Sequence, residues 1–370
     1  MNIPFNKPYL TGSELKYIHE AVEKYGHISG NGTFTKKCQT FFEDRWNLKK
    51  SLLTTSCTDA LEMCALLLNI QPGDEVIMPS FTFVSTALAF IRQGAVIRFV
   101  DSRKDHPGID ENEVENLITE KTKAIVVVHY AGVACDMDII MGIAKRHSLF
   151  VVEDAAQAID SFYNGKPLGS IGHLGCFSFH ETKNLQCGEG GMLCINDEQF
   201  IKRAEILWEK GTNRAEFFRG EINKYGWVDT GSSFLPSDVL AAFLYAQLES
   251  IEVIQEKRKW IWETYKDGIK ETAHLRLPQI PQFATNNGHM FYLICSSLEK
   301  RSDLISRLKR QNISAVFHYQ SLHKSDFYKE KHDMRKLSYS DYYTDCLVRL
   351  PLYYELSESD IRNIITICNA

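Results

Sequence analysis

The sequence predicts an α/β fold, with a large domain built on a mostly parallel sheet and a smaller C-terminal α/β domain. Three observations predict it. The chain has 370 residues, more than one hydrophobic core usually supports. Between about residues 50 and 245, short β-rich runs alternate with longer amphipathic stretches. Several of those runs are apolar at consecutive positions, as expected of strands covered on both faces.

In order along the chain, the strand-like runs are 75–78, 96–100, 124–128, 150–152, 175–179 and 191–195. Helical patterns lie between them, at 59–68 and 136–147 for example. The stretch 235–265 reads as long helices that carry the chain out of the first domain. Beyond it come the apolar run 291–294, a charged helix over 302–311 and a further run at 315–317. No repeat or low-complexity linker interrupts the chain. Two domains in close contact are therefore expected, 1–245 and 246–370.

Composition excludes several classes of function. A net charge of -5 gives no electrostatic case for nucleic acid or an anionic membrane. No segment approaches the roughly 20 apolar residues needed to span a bilayer. The stretch Met1-Asn2-Ile3-Pro4-Phe5 lacks a charged region leading into an apolar core, so no secretory signal is expected. The ten cysteines are scattered and contain no Cys-x-x-Cys, which argues against a zinc ribbon or a redox motif. A reducing cytoplasm is the simplest setting.

Three segments carry candidate chemistry. In Phe150-Val151-Val152-Glu153-Asp154-Ala155-Ala156-Gln157 an apolar run ends in an acidic pair. Asp154 thus falls near the carboxyl end of a strand, the edge where open α/β sheets bind ligands; a helix cap or a metal-binding carboxylate is the alternative. In Cys176-Phe177-Ser178-Phe179-His180-Glu181-Thr182-Lys183-Asn184, a strand runs into a turn bearing one lysine, and Gly188-Glu189-Gly190-Gly191 leads back. A lone lysine is ordinarily a solvated surface charge, and the glycines are explained equally well by a tight turn. Thr54-Thr55-Ser56-Cys57-Thr58-Asp59 precedes a helical pattern and serves either as a plain N-cap or as an anion site.

The three together say more than each alone. Pyridoxal 5'-phosphate (PLP) chemistry needs a phosphate cradle, an acid facing the pyridine nitrogen and a lysine for a Schiff base. All three are present, with Asp154 preceding Lys183 by 29 positions, room for two short strands.

These segments, with Pro79-Ser80-Phe81-Thr82-Phe83, resemble the DegT/DnrJ/EryC1/StrS sugar aminotransferases, fold-type I PLP enzymes. The resemblance runs from Ile3-Pro4-Phe5 to Arg349-Leu350-Pro351-Leu352. Within the family, the stretches 128–135, 179–184, 209–214 and 217–220 resemble the branch that makes dTDP-4-amino-4,6-dideoxygalactose for enterobacterial common antigen. The resemblance implies that Lys183 holds the cofactor and moves protons, and that Asp154 pairs with the pyridine nitrogen. It implies Gln157 and Phe83 against the ring, and Thr58, Asp59 and Ser178 at the phosphate. It also implies a homodimer whose neighbouring subunit reaches the phosphate from a Gly-Tyr-Asn segment; here the matching stretch is Gly231-Ser232-Ser233, leaving Ser233 as the donor. L-glutamate is the implied amino donor and a dTDP-linked keto sugar the acceptor.

His318 and His323 lie in the stretch that approaches the sugar nucleotide in that family, with Arg214 and Arg219 as candidate partners of the donor carboxylate. The His-x4-His spacing, with His332 nearby, has no acidic or cysteine companion at a recognised metal spacing, so no metal is expected. A PLP-dependent sugar dehydratase on the same scaffold would carry histidine in place of Lys183. A non-catalytic binding protein is disfavoured by the intact set Asp154, Gln157, Ser178 and Lys183. A dinucleotide enzyme is disfavoured by the lack of Gly-x-Gly-x-x-Gly after a strand.

Overall fold

The computed structural model describes residues 2–370. Its strands are β1 (Lys50–Thr54), β2 (Glu75–Pro79), β3 (Val96–Val100), β4 (Thr122–Val128), β5 (Phe150–Asp154), β6 (Phe162–Tyr163), β7 (Lys166–Pro167), β8 (Leu174–Ser178), β9 (Gly191–Ile195), β10 (Leu275–Arg276), β11 (Phe291–Cys295) and β12 (Leu347–Leu350). The helices are α1 (Glu14–His19), α2 (Thr33–Trp46), α3 (Cys57–Leu67), α4 (Val84–Ile91), α5 (Glu111–Val114), α6 (Met137–His147), α7 (Ile201–Trp208), α8 (Arg214–Phe218), α9 (Asp238–Glu249), α10 (Ile251–Gly268), α11 (Leu298–Arg310), α12 (Ser338–Cys346) and α13 (Glu358–Asn369).

Seven strands form one sheet in the order β1-β9-β8-β5-β4-β2-β3. From β3 to β8 every pairing is parallel, and β9 runs antiparallel to both its neighbours. Consecutive apolar residues on the strands face opposite cores. Leu53, Ile77, Ile125 and Val151 pack with α2, α6 and α9, whereas Leu52, Val76, Ala124 and Val152 pack with α3, α4 and α7. This two-sided burial explains why the inner strands read as unbroken apolar runs. The fold-type I expectation of a mostly parallel sheet is met.

Two strand expectations differ. β1 escaped the apolar-run reading because only Leu52 and Leu53 mark it, and pairing with β9 decides its conformation. The run 315–317 forms no named strand; Val316 pairs only with Arg349, as an isolated bridge.

A second sheet, β10-β11-β12, is antiparallel and packs with α10, α11 and α13. Between the sheets sits an aromatic cluster containing Phe81, Tyr130, Tyr292 and Tyr343. Polar contacts tie the C-terminal part to the large sheet. Tyr328 accepts the Ile97 N–H at 2.7 Å, and Asp101 accepts the Ser340 N–H at 2.7 Å. The segment carrying His318 and Tyr319 is thereby held over the carboxyl ends of the parallel strands. No helix among the described residues is long and apolar enough to cross a membrane.

Candidate active site

A cavity of about 780 Å³ opens at that edge. Asp154 ends β5, Ser178 ends β8, and the loop after Ser178 brings back Lys183; all three line the cavity. Strand alternation separates the acidic pair. Glu153 points away from the cavity and accepts the N–H groups of Gly169, Ile171 and Gly172, knitting a turn. Asp154 points in. Its carboxylate accepts the Thr86 hydroxyl at 2.7 Å and the Ala156 N–H at 3.2 Å. Burial raises its pKa above the ordinary aspartate value, partly offset by those hydrogen bonds and by Lys183.

Lys183 has no ion-pair partner among the described residues. Burial lowers its pKa, opposed by Cys57 and Asp154 and reinforced by Arg349. Gln157 is held at both ends of its amide: Oε1 accepts the Ala131 N–H at 2.6 Å, and Nε2 donates to the Tyr319 hydroxyl at 2.8 Å. Phe83, at the N-cap of α4, remains 55% exposed and forms a cavity wall 6.1 Å from the Tyr319 ring.

The start of α3 forms the opposite wall. Ser56 caps it by accepting the Asp59 N–H at 3.0 Å. The Cys57 and Thr58 N–H groups are left without a protein acceptor. The Thr58 hydroxyl meets Ser85 at 2.8 Å, and both line the cavity. Asp59 does not line it: its N–H is taken by Ser56 and its carboxylate by the Thr55 and Ser56 hydroxyls.

Other expected residues lie elsewhere in the chain. His318 lines the cavity, stacked on Tyr319 at 3.5 Å with Nδ1 against the Tyr130 hydroxyl at 2.6 Å. His323 is turned away, between Ser80 at 2.8 Å and Asp341 at 3.6 Å. Arg214 pairs with Glu209, and Arg219 with Glu205 and Glu221, both outside the cavity of their own chain. Ser233 is exposed on the segment that bridges to Glu209, also outside it.

Several lining residues were not picked out from the sequence as site residues: Ser85, His289, Tyr319 and Arg349. Thr86, which orients Asp154, was missed too. Local pattern gives no sign of them, except that Tyr319 lies inside the histidine stretch and Arg349 opens the last stretch of the resemblance.

The donor set fits PLP. A buried carboxylate without a cation partner, a lysine without an acid partner, and open N–H groups beside the Thr58, Ser85 and Ser178 hydroxyls are the three parts that cofactor needs. No group of three or more metal-ligating side chains occurs among the described residues.

Comparison with known proteins gives the same picture. The model of the DegT/DnrJ/EryC1/StrS aminotransferase family matches residues 9–369. An uncharacterized protein of Methanocaldococcus jannaschii is 32% identical over 342 residues, covering 90% of this chain and 89% of that protein. The spore coat polysaccharide biosynthesis protein SpsC of Bacillus subtilis is 31% identical over 373 residues, covering 98% and 95%. Among solved structures, Spr1654 of Streptococcus pneumoniae, named for sugar aminotransfer, superposes in its PLP form with a TM-score of 0.92 at 27% identity, covering 100% of this chain and 98% of that one. It has also been solved in a PMP form. With this fold, this donor set and a match over nearly its whole length, the chain belongs to the DegT/DnrJ/EryC1/StrS aminotransferase family of fold-type I, PLP-dependent enzymes.

Proposed function

We propose that the enzyme moves the amino group of L-glutamate to the C4 carbonyl of dTDP-4-keto-6-deoxyglucose. The product is dTDP-4-amino-4,6-dideoxygalactose, for surface polysaccharide synthesis. The observation that carries aminotransfer is the meeting of Lys183 and Asp154 in one cavity beside the open first turn of α3. Support for a sugar acceptor comes from the resemblance over 128–135, 179–184, 209–214 and 217–220. The polysaccharide role named for SpsC and the sugar aminotransfer named for Spr1654 point the same way. A cavity of about 780 Å³ is also within the usual range for small-molecule sites.

When bound, PLP supplies a protonated ring that stabilises the electron pair left on a substrate carbon after its proton is removed. Asp154, fixed by Thr86 and Ala156, would hold the ring nitrogen and keep it protonated. Gln157 and Phe83 would bound the ring, and Thr58, Ser178 and the first turn of α3 would hold the phosphate. Lys183 Nζ removes the proton from the carbon bearing the amine and redelivers it. That role needs a neutral amine, and burial favours one by lowering the Lys183 pKa. His318 faces the sugar. The working unit is a homodimer in which Ser233, outside its own chain's cavity, serves the phosphate held by its partner. It works in the cytoplasm, where its ten free cysteines stay reduced.

The test is purified enzyme with PLP, L-glutamate and dTDP-4-keto-6-deoxyglucose, with NMR of the product. An axial C4 amine is expected, and Lys183→Ala or Lys183→Arg should abolish turnover. Amination at C3 or an equatorial amine would replace the acceptor assignment. Full activity in Lys183→Ala, or borohydride trapping of the cofactor on another lysine, would remove the mechanism.

A further inference from the structure

Arg349 is the only arginine among the described residues that line the cavity, and it has no carboxylate partner. Its position is set by backbone on two sides. β12 pairs it with Tyr292 of β11, and its own N–H and carbonyl exchange hydrogen bonds with Val316 at 2.8 and 3.1 Å. The side chain leans over the Phe5 ring, with the guanidinium carbon 4.6 Å from the centroid. One Nη2 contact reaches the Phe317 carbonyl at 3.3 Å, while Nε is buried with no acceptor at all.

Withdrawing a guanidinium from water without a counter-charge is costly; Arg258 and Arg301 also meet only backbone carbonyls, but neither lines the cavity, and several other arginines hold carboxylates. Arg103 holds Asp105 and Glu111, Arg203 holds Asp229, and Arg219 holds Glu205 and Glu221. A cation kept unpaired in a cavity is matched by an anion that arrives with a ligand, and the planar fork of arginine suits a carboxylate held through two oxygens. Arg349 is also close enough to Lys183 to disfavour its ammonium form. An anion attached next to the reacting carbon can meet both groups, which line the same cavity. An amino acid carries its carboxylate on the very carbon that bears the amine. A sugar nucleotide carries its diphosphate across the ring from the C4 carbonyl.

We propose that Arg349 binds the α-carboxylate of the amino donor, so that the donor site lies between Lys183 and the end of β12. This inference rests on the proposed use of L-glutamate. It places the donor carboxylate on an arginine of the same chain, in a cavity that neither Arg214 nor Arg219 of that chain reaches.

The two substrates are tested separately on PLP-loaded enzyme. L-glutamate binding is read from the change in cofactor absorbance without acceptor, and dTDP binding by calorimetry, which needs no turnover. In Arg349→Gln the Kd for L-glutamate should rise roughly 10- to 100-fold, the loss expected for a charged hydrogen-bonded pair. The Kd for dTDP should change by no more than about twofold, since the two sites are distinct. Arg349→Lys keeps the charge but not the fork and should fall between wild type and Arg349→Gln; should Arg349→Gln fail to fold, it carries the test alone. Unchanged glutamate affinity, or a loss of dTDP affinity matching or exceeding that of glutamate, overturns the assignment. Wild-type enzyme that responds to glutamate yet leaves the keto sugar unchanged would remove only the acceptor reading. Wild-type enzyme indifferent to glutamate would overturn this proposal as well.

Discussion

Asp154 and Lys183 each carry a charge that burial disfavours. The Asp154 pKa is raised and the Lys183 pKa lowered, and in both cases loss of water is the largest cause. Because the folded chain holds the Asp154 proton more tightly than the unfolded chain, its contribution to stability is complete below the ordinary aspartate range. That contribution is lost as pH rises through the raised value, so at neutral pH the ionised carboxylate is a cost in the cofactor-free protein. Asp154→Asn removes the charge while keeping an acceptor for Thr86. Melting of the cofactor-free variant at pH 7 should therefore lie roughly 1–2 °C above wild type, with the gap closing as pH falls below about 4. The same variant should bind PLP more weakly, since the acid facing the ring nitrogen is gone. A melting difference of the same size at every pH would refute the account.

At the scale of elements, β9 joins the phosphate cradle to the lysine loop. Gly191 opens it, facing Thr54 on one side and Ser178 on the other. A Cβ there would lie 2.4 Å from the Cys57 nitrogen and 2.4 Å from the Ser56 carbonyl carbon and oxygen. All three are backbone atoms of the turn that starts α3, so nothing flexible can yield. Gly191→Ala should push α3 away from the sheet and destabilise the fold by roughly 1–3 kcal/mol. Because the displaced turn carries the open N–H groups of Cys57 and Thr58, PLP affinity should fall with it. Chemical denaturation and cofactor titration of this one variant check both; retained affinity in a destabilised variant would separate α3 from the cradle.

For the molecule as a whole, a cluster of exposed apolar residues lies on the segment after α7. Trp227 is 81% exposed and Phe218 68%, with Tyr225 and Val228 beside them. Phe217 packs against both Phe218 and Tyr225, and Arg214 lies over Phe218 and Tyr225. Such a patch on an isolated chain is what the proposed homodimer would cover. It lies on the segment that leads to Ser233, the residue proposed to serve a partner's cavity. Wild-type enzyme should sediment as a dimer, and Trp227→Asp should shift it toward monomer with weaker PLP binding. A dimer unaffected by that charge would place the interface elsewhere.

Much of this was legible in the chain itself, where the physics is local. Consecutive apolar residues specify strands buried on both faces, and 96–100 and 191–195 fall where the pattern put them. Ser56 and Asp136 cap helices through side-chain oxygens, a preference visible in sequence. The acid, the lysine and the hydroxyl-rich helix start were equally visible, because each sits at the end of a recognisable run. Their sharing one cavity was decided by topology, which sets β5 beside β8 and returns β9 between β8 and β1. Three-dimensional packing alone turned His323 toward Ser80, kept Arg214 and Arg219 out of their own chain's cavity, and brought Arg349 in beside Lys183. Those outcomes depend on contacts between residues far apart in the chain, and no local spacing encodes them.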